Sequence, residues 1–148
     1  MNISQLPRPG RSFYTIAALL PFALCISVLF YGGPFHQFIR SSIGDLLAVV
    51  FLYFLLGIIR PGSLLLRAAV TGLTACAIES VQLTGIVPHD APTLVLLLFG
   101  SHFDPWDILA YFVGLIVAVA VEYGICAYRQ SRRSPPSVSS TTLPNNHE

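Results

Sequence analysis

The sequence predicts an all-α fold, a polytopic transmembrane bundle of about four spanning helices with one further short interfacial or re-entrant helix. Three observations carry this. Of 148 residues, 54% are hydrophobic and only 10% are charged, whereas soluble domains carry roughly 25% charged residues. A small soluble domain has a large surface for its volume, and this chain has too few charges to coat one; its mean hydropathy is +0.71. Several apolar stretches are long enough to cross hydrocarbon, and arginines fall almost entirely at one set of their ends.

The spans are predicted at 13–31, 43–59, 64–87 and 106–128, each close to the ~20 residues (range roughly 17–25) that a crossing helix needs. Residues 1–12 form an N-terminal segment ahead of this 13–128 membrane domain. The first span follows Arg8 and Arg11 as a signal sequence would. Its apolar core is too long for one, and no small-x-small cleavage site precedes Gly32-Gly33-Pro34, so it is expected to stay as an anchor. The apolar run 93–99, between Pro92 and Gly100, is too short to cross and is expected to turn back or lie at the interface. Residues 129–148 are rich in Ser, Thr, Pro and Asn and are expected to be a disordered tail.

The positive-inside rule orients the bundle. Arg8, Arg11, Arg60, Arg67, Arg129, Arg132 and Arg133 fall at one parity of span ends, and only Arg40 at the other. Both termini are therefore expected in the cytoplasm and the loops 32–42 and 88–105 outside, in a bacterial inner membrane. A net charge of +1 offers no basic field for nucleic acid. The partners expected are membrane lipids and, for some functions, a second copy of the chain. Cys25, Cys76 and Cys126 lie in apolar stretches and read as small buried hydrophobes.

Acids inside such spans are costly and need a reason. On a helical wheel Ala68, Gly72, Ala75, Glu79 and Gln82 share one stripe, small residues leading to a polar end. Asp104, Asp107, Tyr111 and Gly114 form a matching face at the start of the last span. Asp45 opens the second. Arg40, Asp45, Glu79, Gln82, Asp104, Asp107 and Tyr111 are thus predicted to gather at the outer helix ends as a polar, acidic ligand-binding cluster, with Arg40 the cation able to reach it. Capping and the helix dipole alone also explain Asp45, Asp104 and Asp107, but no terminus explains Glu79. Glu122 is read as a structural ion pair with Arg60, Arg67 or Arg129. His36, His89 and His102 show no metal-ligand spacing, so no metal or cofactor is expected.

These residues resemble the family of small bacterial integral membrane proteins known as domain of unknown function 2809. The resemblance runs from Phe38-Ile39-Arg40 and Ile43-Gly44-Asp45, through Glu79-x-x-Gln82, to Phe103, Asp104, Asp107, Ala110, Tyr111 and Gly114. It covers roughly residues 35–122, and the Glu79/Gln82 and Asp104/Asp107 pairs are also similar to those of VanZ-like membrane proteins. Two positions depart from the pattern. Pro105, not an aromatic residue, follows Asp104, and no Arg precedes Gly100 in 93–99.

The reading that ranks first is a binding or accessory protein with its acidic site at the outer membrane face. A purely structural bundle ranks second. An enzyme acting on envelope lipids, or a small proton-coupled transporter working as a dimer through Glu79 and Asp107, stands behind these. No nucleophile or metal motif completes an enzyme, which tips the balance away from catalysis.

Overall fold

The structure, a computed structural model, describes residues 8–60, 62–84 and 105–133. Among the described residues four helices are long and apolar enough to cross a membrane. They are α1 (Arg11–Leu29), α2 (Gly44–Ile59), α3 (Leu64–Leu83) and α4 (Pro105–Arg133). The all-helical membrane bundle that the composition predicts is therefore the fold. The run 93–99, Asp104, His89 and His102, and all of the tail beyond Arg133, lie outside the described residues.

A single helical turn, His36–Phe38, leads into a π-helical turn, Ile39–Ile43, that joins α2, so the second membrane-crossing stretch starts at Ile39 rather than Ile43. A π turn carries an extra residue and shifts the faces before and after it. Arg40 within the turn is exposed, and Asp45 after it is half-buried in the bundle. Ser63 caps α3, its hydroxyl accepting from Leu66 N–H at 3.2 Å. At its far end α4 runs five residues past Tyr128. Arg and Gln are good helix formers, and cations suit a helix C-terminus.

The packing centres on α2, which contacts each of the other three helices; α3 also packs on α4. The buried cluster between them comprises Tyr14, Ala18, Val50, Tyr53, Phe54 and Ala118. Outward faces are apolar, with Ile16 70%, Leu73 71% and Ile116 65% exposed, as lipid contact requires and water does not permit at this extent. Trp106 and Tyr128 are exposed at opposite ends of α4, where amphipathic rings meet headgroups, and Arg132 sits 5.3 Å from the Tyr128 ring centroid.

The seam of α4 consists of Asp107, Ala110, Gly114, Ala118, Glu122 and Cys126, all buried. Small residues between two acids let the helix backbones approach closely. At Gly114 the approach is closest. A Cβ there would lie 2.6 Å from the carbonyl oxygen of Leu46 on α2. At Gly57 a Cβ would overlap the Tyr14 ring, which therefore packs directly against the α2 backbone.

Candidate functional site

Two polar centres sit at opposite ends of this seam, about 22 Å apart along α4 at 1.5 Å per residue. The first is built on Glu122. Its carboxylate accepts from the Tyr14 hydroxyl at 2.8 Å and the Tyr53 hydroxyl at 2.7 Å, and pairs with the guanidinium of Arg67. Of the three arginines in reach by sequence, Arg67 is the partner. Its Cζ stands 4.8 Å from the Tyr14 ring centroid and 5.3 Å from that of Tyr53. Arg67 Nε and Nη1 find no acceptor among the described residues, and the two ring faces supply the compensating negative potential. One residue from each of four helices meets here, so this centre ties the bundle together.

The second centre holds most of the predicted cluster. Asp45 of α2 lies beside Asp107 of α4 and within electrostatic reach of Glu79 of α3. Tyr111, one turn beyond Asp107, is a neighbour of all three acids. Glu79 and Asp107 are 3% and 7% exposed, so these acids line the bundle interior and not its surface. Gln82, on the next turn of α3 from Glu79, is half-buried. Arg40 stands apart, exposed on the π turn, and the groups acting on Asp45 are the two other acids. Asp104 lies outside the described residues.

On α3 the buried stripe is Arg67, Thr71, Ala75 and Glu79. It is rotated by one residue at its start from the Ala68-Gly72 stripe that the helical wheel suggests. The cause is Arg67, which the charge count places at a membrane boundary but which turns inward to Glu122. Ala68 and Gly72 instead line an open groove between α3 and α4, with a volume of about 720 Å³. Cys76 also lines it and is exposed, unlike Cys126, which is buried, and Cys25, which is half-buried. Glu79 and Tyr111 are the polar groups through which this groove touches the acidic centre. Sequence periodicity alone missed both the groove and the Tyr14 and Tyr53 contacts to Glu122. The tyrosines carry a signal of their own, since a hydroxyl at membrane depth needs a partner.

Among the described residues no three His, Cys, Asp or Glu side chains are arranged to hold a metal ion. Asp45 lies within electrostatic reach of both Asp107 and Glu79, and acids so placed repel unless protons or a cation offset their charge.

No curated protein and no solved structure matches the chain significantly. The family model for the protein of unknown function DUF2809 matches residues 35–115, the stretch that contains Asp45, Glu79, Asp107 and Tyr111. That match covers more than half of the sequence, and the chain belongs to the DUF2809 family.

Proposed function

We propose that this membrane protein is a binding or accessory protein whose acidic centre takes a cationic or amine-bearing group. The observation that carries the reading is the convergence of Asp45, Glu79 and Asp107 from three different helices beside Tyr111. Capping explains an acid at the first turn of α2 or α4. It does not explain Glu79, sixteen residues into α3, or why Asp45 meets an acid from each of two other helices. A structural role is already met at the other end of the bundle, where Glu122 has a cation and two hydroxyls.

The test is an inventory of small molecules and lipids that co-purify with the protein, read by mass spectrometry. Wild type is expected to carry an amine-bearing or cationic species that Glu79→Gln and Asp107→Asn lose at equal protein abundance. An identical inventory in all three would sink the binding reading. A collapse in abundance of both variants would assign the acids to structure.

The same proposal places the centre at the outer face of a bacterial inner membrane with both termini in the cytoplasm. Burial of Arg67 removes it from the orientation count, which still sets Arg8, Arg11, Arg60, Arg129, Arg132 and Arg133 against Arg40. In a variant lacking the native cysteines, Ser41→Cys should react with an impermeant maleimide on intact cells. Ser131→Cys should react only after lysis. The opposite pattern would invert the topology.

A further inference from the structure

The groove between α3 and α4 says what kind of molecule brings the amine. It extends along α3 from Ala68 to Leu83, about 22 Å at 1.5 Å per residue, and its volume of about 720 Å³ falls within the ~300–1,000 Å³ of small-molecule sites. Gly72, Cys76 and Leu83 on one wall face Ile108, Phe112 and Leu115 on the other. Ligand sites usually combine an apolar body with a few placed polar groups, and here Glu79, Ser80 and Tyr111 are those groups. Gly72 lines the groove beside α4. A Cβ there would stand 3.6 Å from Leu115, in ordinary contact, so a methyl fits but a longer side chain must project into the space.

A soluble cation has no use for an apolar channel of this length. A second copy of the chain would need a complementary ridge to fill a channel of this length. The occupant that matches both parts is an amphiphile lying in the same hydrocarbon. We infer that the groove holds the acyl chain of a membrane lipid whose primary ammonium headgroup is received by the acidic centre at Glu79. This inference rests on the proposed binding function and names its ligand class. A primary ammonium brings three N–H donors and a compact charge, which suits three clustered acids. A quaternary ammonium brings the charge without the donors, and a glycerol headgroup brings hydroxyl donors without the positive charge.

Full-length protein in vesicles of ethanolamine, choline and glycerol phospholipids with identical acyl chains provides the test, by native mass spectrometry of the lipid retained after gentle delipidation. Wild type should retain the ethanolamine lipid about tenfold over the glycerol lipid, with choline between them. Glu79→Gln should flatten that preference while still retaining lipid. Gly72→Leu, read on the folded protein, should lower retention of all three lipids, since its side chain takes up groove space. Equal retention of the three lipids by wild type would overturn the inference, as would unaltered retention in a folded Gly72→Leu. A photo-crosslinker attached at Cys76 reports the occupant directly. Transfer to lipid supports the inference; transfer to a second copy, or to the chain's own residues 85–104, overturns it. A wild type that loses lipid indiscriminately yet carries a soluble amine sensitive to Glu79→Gln would retain the binding function and reject the lipid.

Discussion

Arg67→Ala is expected to cost the folded bundle about 3–5 kcal/mol, the usual penalty for removing one partner of a buried ion pair. The change strands the Glu122 carboxylate, 3% exposed, with only the Tyr14 and Tyr53 hydroxyls to hold its charge. It also deletes a cation lying against both tyrosine rings, a contact worth up to about 2 kcal/mol when desolvated. The loss should show as a lowered thermal midpoint in detergent and a reduced level in the membrane. Combining Arg67→Met with Glu122→Gln should recover most of it, because both charges leave together and the amide oxygen still accepts from a tyrosine. If the double variant is no better than Arg67→Ala alone, the penalty belongs to lost packing and not to the stranded charge. A single variant as stable as wild type would remove the centre from the forces holding the bundle.

The contrast between the two polar centres explains what could be read from the sequence. Four spans follow from hydrophobic length alone, because hydrocarbon demands helices and forbids exposed backbone. The convergence of Asp45, Glu79 and Asp107 was also legible. Each lies at or near one end of an apolar stretch, and an antiparallel arrangement brings those ends together. Arg67 reads both as a loop cation and as one of three candidate partners of Glu122, because two rules conflict there. Charge at a span boundary reads as a loop cation, whereas its four-residue step to Thr71, Ala75 and Glu79 places it on the buried face. Only the presence of Glu122 opposite decides between them, and that pairing spans 55 residues. The groove was illegible for a related reason. Ala68 and Gly72 read as a packing face by the small-residue rule. Whether a small residue meets a backbone or leaves a void depends on the register of the neighbouring helix, which no single helix encodes.

The two outcomes for a small residue can be separated on this chain by comparing Gly114→Ala with Gly124→Ala on the same helix. At Gly114 the new Cβ would meet the carbonyl oxygen of Leu46 at 2.6 Å, with the Leu46 carbonyl carbon and Cα each at 3.3 Å. Backbone cannot swing aside as a side-chain tip can, so α2 and α4 must part. Overpacking of this kind costs about 1–3 kcal/mol, set against about 1 kcal/mol of helix propensity gained by replacing Gly with Ala. At Gly124 nothing lies within 4 Å, so the propensity gain should stand alone and the variant should match or exceed wild type. The separation has a functional edge. Leu46 follows Asp45, and Gly114 lies two turns from Asp107, so moving the helices apart at that contact also draws the two acids apart. Gly114→Ala is therefore expected to lower both the thermal midpoint and the retention of an amine-bearing ligand, whereas Gly124→Ala lowers neither. Equal stability of the two variants would show that α2 and α4 are not in backbone contact, and the acidic centre would lose the feature that holds Asp45 against Asp107.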